Sequence, residues 1–135
     1  DFGADRFRDL VEKVPDLKIV IEHLGGVGRD VEPPYSTYLK VLDLARYPNI
    51  YMKVPGFGEI CNEPFPYQKI PPLVNLAYDA FGASRLMWGS DFPPVSSREG
   101  YHNALHFPWK HITFANESEK EWIFGKTALS VWNFR

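Results

Sequence analysis

Two side chains offer the most direct chemistry in this sequence: Asp91, near the end of RLMWGSDFPP (85–94), and His23, which closes LKIVIEH (17–23). In the first stretch the apolar run Leu86-Met87-Trp88 passes through Gly89 and Ser90 to one carboxylate. It is then stopped by Pro93 and Pro94, which have fixed φ and no N–H for a ladder. Asp91 is therefore left where strand pairing ends, the rim at which parallel α/β proteins do their chemistry. The plainer alternative is an aspartate that bonds backbone N–H groups of its own turn. Side chains alternate along a strand, so His23 shares a face with Leu17, Ile19 and Ile21, and Asp91 shares one with Met87 and Gly89. Each is the first polar residue of its face. Imidazole and carboxylate converging from different parallel strands suit a divalent transition ion or an acid–base pair. A histidine taken singly is more often a buried imidazole bonded to a turn, and only the pairing with Asp91 lifts His23 above that reading.

Other polar residues offer weaker chemistry. Arg29 follows His23 in a glycine-rich loop, where a guanidinium could hold a substrate carboxylate in two-pronged fashion, or could simply be solvated. Lys53 and Tyr51 share a strand face, and the lysine is expected to snorkel outward. Glu22 faces away from His23 by parity and is expected to pair with a covering helix. His102, His106 and His111 have spacings of four and five residues, but Pro108 falls among them, so an ordinary surface segment outside any active cavity is expected.

The elements that must position these residues follow from periodicity. Phe7, Leu10, Val11 and Val14 mark one helix face, with Asp5 placed to cap and Pro15 to stop it. A buried strand runs from Leu17 to Glu22 and turns at Leu24-Gly25-Gly26. Tyr35, Tyr38, Leu39 and Leu42 form a second helical stripe, broken by Pro48-Asn49, and Ile50 to Val54 is a strand stopped by Pro55-Gly56. The loop from Phe57 to Pro72 is too apolar for a solvated linker and reads as a lid or rim loop. Leu73, Leu76, Ala77 and Phe81 define a third helix, with Gly82 placed for a left-handed cap. Helices are also expected over 99–105 and 118–124, the latter with a capping box of Ser118 and Glu121. Gly125 then interrupts, before a last turn or two over 127–132.

Composition bounds the class. The chain has 135 residues, of which 44% are hydrophobic and 16% aromatic, enough for one packed core and no case for disorder. A formal net charge of −2 gives no basic footprint for nucleic acid or for an anionic membrane surface. The single cysteine, Cys61, rules out an internal disulfide framework and suits a reducing, cytoplasmic setting. No apolar run approaches the roughly 20 residues that span a bilayer. The first residues, DFGADRF, are neither a signal peptide nor a start methionine, so the expectation is a chain that begins partway into a longer protein.

Strand starts at Leu17, Ile50 and Arg85 are 33 and 35 residues apart with a helix in each gap, the period of right-handed βαβ crossovers and hence of parallel strands. Three such strands leave both sheet edges and one apolar face uncovered. A (β/α)8 barrel needs roughly 250 residues, so the expected fold is α/β, three βα units forming the C-terminal part of a TIM barrel, with residues 1–135 one partial domain. A small doubly wound sheet is disfavoured, because Gly25, Gly26 and Gly28 do not follow a G-x-G-x-x-G pattern. The missing N-terminal barrel half is then the expected partner. Expressed alone, the chain should aggregate or associate with itself as a homo-oligomer.

In order and spacing, IVIEHLGG, NIYMKVPGF and RLMWGSDFPPV resemble the last three strands of the amidohydrolase-related branch of the amidohydrolase superfamily, and IFGKTALSVW resembles its closing helix, with Lys126-Thr127 where Asn-Ala is common. The resemblance covers nearly the whole chain. It implies a (β/α)8 barrel in which His23 and Asp91 belong to the active centre as metal ligands, with Asp91 activating the attacking water. It implies a divalent ion, with zinc expected, although some relatives work without metal. The first-strand His-x-His and the fifth-strand histidine of that pattern are absent here, so the chain by itself is expected to be inactive. The implied reaction is hydrolysis of a lactone or similar cyclic ester bearing carboxylate. Its rivals are a non-oxidative decarboxylase of the same branch and a non-catalytic barrel fragment.

Overall fold

The computed structural model describes residues 5–134, so the reading of the first four residues lies outside the described part. Helix α1 (Asp5–Lys13) leads into strand β1 (Ile19–Ile21), helix α2 (Ser36–Leu42) continues as a 3-10 turn to Arg46, and strand β2 spans Ile50–Val54. Helix α3 (Leu73–Phe81) precedes strand β3 (Leu86–Trp88). Helix α4 (Tyr101–His111), helix α5 (Glu117–Glu121), a π turn (Trp122–Lys126) and helix α6 (Thr127–Val131) complete the described chain.

The three strands are parallel, in the order β1-β2-β3, as the βαβ period requires. Register explains why these sequences pair. Ile21, Met52 and Leu86 form one row across all three strands, and each is fully buried. Val54 and Trp88 form the next row, and the Trp88 indole donates to Ala104 O at 2.9 Å. Truncating Met52 would cost about 2–5 kcal/mol, since a buried row of this kind leaves a cavity when cut. The opposite face is mixed, with Val20 beside Tyr51 and Lys53 beside Met87. The chain end reaches back to that side. Ser130 O accepts from Lys18 Nζ at 2.6 Å, and Lys53 Nζ lies 5.8 Å from the centre of the Trp132 ring.

Several boundaries differ from the sequence reading. Only Val11 of the α1 stripe is fully buried, whereas Leu10 and Val14 are exposed along with Leu17, because nothing in the described chain covers them. Gly82 does take a positive φ of 70°, but with ψ 160° it is not a left-handed cap, and it leads into a 3-10 turn, Ala83–Arg85. Pro108 does not break α4. A proline leaves the carbonyl four residues back without a donor, and here that carbonyl, Ala104 O, is taken by Trp88. The capping box is Asn116 with Glu119, not Ser118 with Glu121, since the helix begins earlier: Asn116 accepts from Glu119 N–H at 3.0 Å and Glu119 accepts from Asn116 N–H at 2.8 Å. Gly125 does not interrupt, because it is absorbed in the π turn. The stretch after β2 is anchored rather than a free lid, with Phe57, Ile60, Cys61 and Tyr67 all buried.

Candidate metal and acid–base centre

β1 stops at Ile21, and the chain then turns through four successive left-handed residues, His23 (φ 37°), Leu24 (53°), Gly25 (75°) and Gly26 (74°). Positive φ is uncommon at histidine and an outlier at leucine, and such strain is typically kept where a side chain must be aimed. The turn also ends the strand alternation early. His23 therefore does not share the face of Ile19 and Ile21. It lies beside Glu22, Nε2 to Oε2 3.8 Å, and a Cβ added to Gly89 would sit 3.7 Å from its Nε2. Glu22 accordingly does not point away from His23. Nor does it pair with a helix, for it takes Lys53 Nζ at 2.8 Å across the strands, so that lysine is paired rather than snorkelled out alone.

Asp91 also has a positive φ, 54°, just past β3, and its Oδ1 is 3.9 Å from His23 Nδ1. The two residues singled out from sequence thus converge at the C-terminal ends of parallel strands. Between them stands one that sequence reasoning missed. Glu59, on the 3-10 turn Phe57–Glu59 after β2, accepts from His23 Nδ1 at 2.9 Å through Oε2 and at 3.1 Å through Oε1. His23, Glu59 and Asp91 each offer one ligand atom, all within 4.8 Å of one another. Its signal was its place after β2 in PGFGE, a strand end in parallel with those of His23 and Asp91.

The turn bearing Glu59 is fastened on two sides. Arg29 Nε donates to Gly58 O at 3.0 Å and its Nη2 donates to the same oxygen, while Gly58 N–H donates to Glu99 Oε1 at 3.1 Å. A Cβ at residue 58 would collide with the buried Glu99 carboxylate and Tyr67 hydroxyl, so any larger residue there would displace them. Arg29 also lines a cavity of about 410 Å³ with Asn62, Phe65, Tyr67 and Arg98. Arg98 reaches the centre directly, Nη2 lying 3.0 Å from Asp91 Oδ2 and 3.9 Å from Glu59 Oε2.

The Glu59 hydrogen bond raises the pKa of His23 above its ordinary value. The charges of Glu59, Asp91 and Glu22 add to this, and partial burial opposes it. Burial, with the Glu99 charge behind it, raises the Tyr67 phenol. Burial likewise pushes the Cys61 thiol up to about 11, so Cys61 has no thiolate character at neutral pH. The remaining histidines stay away from the centre. His102 and His106 lie tilted against each other along α4 with ring centres 4.2 Å apart, and His111 stacks on Phe107 at 3.8 Å.

One imidazole and two carboxylates at the ends of parallel strands form a donor set suited to a hard or borderline divalent ion. The family model described as Amidohydrolase matches residues 6–134. The chain belongs to the amidohydrolase family. It is 32% identical over 98 residues to an L-fucono-1,5-lactonase of Burkholderia ambifaria, covering 68% of this chain and 31% of that protein. It is 27% identical over 109 residues to a 4-sulfomuconolactone hydrolase of Hydrogenophaga intermedia, covering 79% and 34%. Its fold matches that of an amidohydrolase from Burkholderia multivorans with bound zinc, at TM-score 0.81 and 19% identity, over 95% of this chain and 48% of that one. The chain therefore spans about a third of the length of these curated relatives and about half of that solved structure. Its three parallel strands with their helices are part of a (β/α)8 barrel of this family. Among the described residues no helix is long and apolar enough to cross a membrane.

Proposed function

We propose that the chain supplies the C-terminal portion of a metal-dependent hydrolase acting on a lactone or similar cyclic ester that carries a carboxylate, in the cytoplasm. The observation that carries this reading is the convergence of His23, Glu59 and Asp91 within 4.8 Å at the strand ends. The lactone hydrolase names of the two curated relatives support the substrate class. His23, Glu59 and Asp91 would hold the divalent ion, with zinc as the first choice. Such an ion lowers the pKa of water and polarises a carbonyl.

The chain's own residues then divide the work. Asp91 takes the proton from the attacking water, whose oxygen bonds to the lactone carbonyl carbon. The ring C–O bond breaks, and Asp91 returns the proton to the leaving oxygen, so one carboxylate serves as base and then acid. Before an ion is bound, Glu59 accepts from His23 Nδ1 and fixes the orientation of the ring. Arg29, at the wall of the 410 Å³ cavity, has Nε and Nη2 bonded to Gly58 O, which leaves Nη1 to receive the substrate carboxylate. The remainder of the barrel, as the partner of this portion, closes the site.

The test is Asp91→Asn in the protein with its whole barrel, assayed on a panel of anionic lactones. The substitution keeps size and removes both the charge and the ability to take a proton. The expected result is a fall in kcat on the order of 10² to 10⁴ with thermal stability little changed. Activity within a few-fold of the parent overturns the role of Asp91. Release of carbon dioxide from an aromatic acid, with no lactone opened, would replace hydrolysis by decarboxylation.

A further inference from the structure

Three carboxylates, Glu59, Asp91 and Glu99, meet one guanidinium, Arg98. Its Nη2 is bonded to Asp91 Oδ2 at 3.0 Å and lies 3.9 Å from Glu59 Oε2, while its Nε lies 3.6 Å from Glu99 Oε2. The Glu99 side chain is wholly inaccessible, and Arg98 is 19% exposed. Arg98 Nε and Glu99 Oε2 are both buried without a hydrogen-bond partner, and they face each other at a distance too long for a bond. Buried polar atoms left in this way are costly, so a pair that stands a few tenths of an ångström from closure has a reason to move. The guanidinium is thus shared between Asp91 and Glu59 on one side and Glu99 on the other.

We propose that Arg98 and Glu99 form a counter-ion pair that sets how tightly His23, Glu59 and Asp91 hold a divalent cation, with Arg98 opposing the cation and Glu99 favouring it. This rests on the metal reading of the site given above. Arg98 shares two of the three ligands with any cation there, and like charges a few ångströms apart in a partly desolvated pocket repel strongly. It also occupies Asp91 Oδ2, leaving Oδ1 for the centre. Glu99 acts in the opposite sense. Its charge adds to the field that attracts the cation, and its Oε2 offers the unpartnered Arg98 Nε–H an acceptor that draws the guanidinium off Asp91. Neither residue touches substrate in this account; both are positioning residues.

The experiment is calorimetric titration of Zn²⁺, with competition against a chelating dye, into the protein with its whole barrel and its Arg98→Gln, Arg98→Lys and Glu99→Gln variants. Gln at 98 keeps a donor for Asp91 without the charge, and Gln at 99 keeps an oxygen for Gly58 N–H. Arg98→Gln should bind Zn²⁺ about 10-fold more tightly or better, Arg98→Lys should stay near the parent, and Glu99→Gln should bind several-fold more weakly. Opposite signs are the signature, because a merely structural role for either residue would weaken binding in both. Weakening in both, or changes within about twofold in both, overturns the proposal and leaves the metal site standing. If Glu99→Gln fails to unfold cooperatively, the sign of the Arg98→Gln effect alone decides. No Zn²⁺ binding by the parent or any variant overturns the metal reading and the proposal with it.

Discussion

The chain carries histidine in two regions, and they invert what spacing alone suggests. His102, His106 and His111 lie close together in sequence on one helix, the arrangement usually sought for a metal face. In space they spend their rings on one another and on Phe107, and no carboxylate joins them in a ligand group among the described residues. His23 is isolated in sequence, yet it meets Glu59 from 36 residues away and Asp91 from the third strand. Helical spacing only puts side chains on one face, whereas parallel strands deliver their ends to one rim, where charges of different origin accumulate and must be balanced. The acid-rich surroundings, rather than the number of imidazoles, distinguish the centre.

The comparison breaks most readily at Glu59. Glu59→Gln removes a ligand and the anchor of His23, and Zn²⁺ affinity should fall by about 10- to 100-fold or more. A loss of less than about twofold, read by calorimetry, would reduce Glu59 to a loop carboxylate.

A smaller effect follows from the raised pKa of His23. A group whose folded pKa lies above its unfolded value of about 6.5 contributes stability that is full below that unfolded value and is lost as pH climbs through the folded one. With a chelator present, the parent should therefore exceed Glu59→Gln in Tm by the most near pH 6, and the gap should narrow toward pH 8 or above. A gap that widens with pH would show that the His23–Glu59 contact does not favour the imidazolium.

The smallest effect is expected in the other region. His102→Ala with His106→Ala should leave high-affinity Zn²⁺ binding within about twofold of the parent in the same titration, since neither ring belongs to the ligand group.

Much of the fold was legible because each strand is an apolar run closed by turn formers. Ile50 to Val54 was recovered in full, and the parallel order follows from the crossover lengths. Asp91 and His23 were legible for the same reason, as polar residues where such runs stop. The face of His23 was not, because alternation assumes extended φ and His23 is left-handed. Glu59 and Glu99 were hidden by their setting. A carboxylate in a Gly/Pro-rich loop, or just ahead of a helix, reads as solvated until the Gly58 backbone is seen to bring the two together. Arg98 carries no period at all, and only the folded turn after Asp91 swings it back onto that carboxylate.

The central claim is that one cation site lies at the strand ends and none on α4. Anomalous diffraction from crystals of the protein with its whole barrel, grown with stoichiometric Zn²⁺, tests it most directly. The account predicts a single strong peak among the side chains of His23, Glu59 and Asp91. A strongest peak at His102 and His106, with no density between His23 and Asp91, would contradict it.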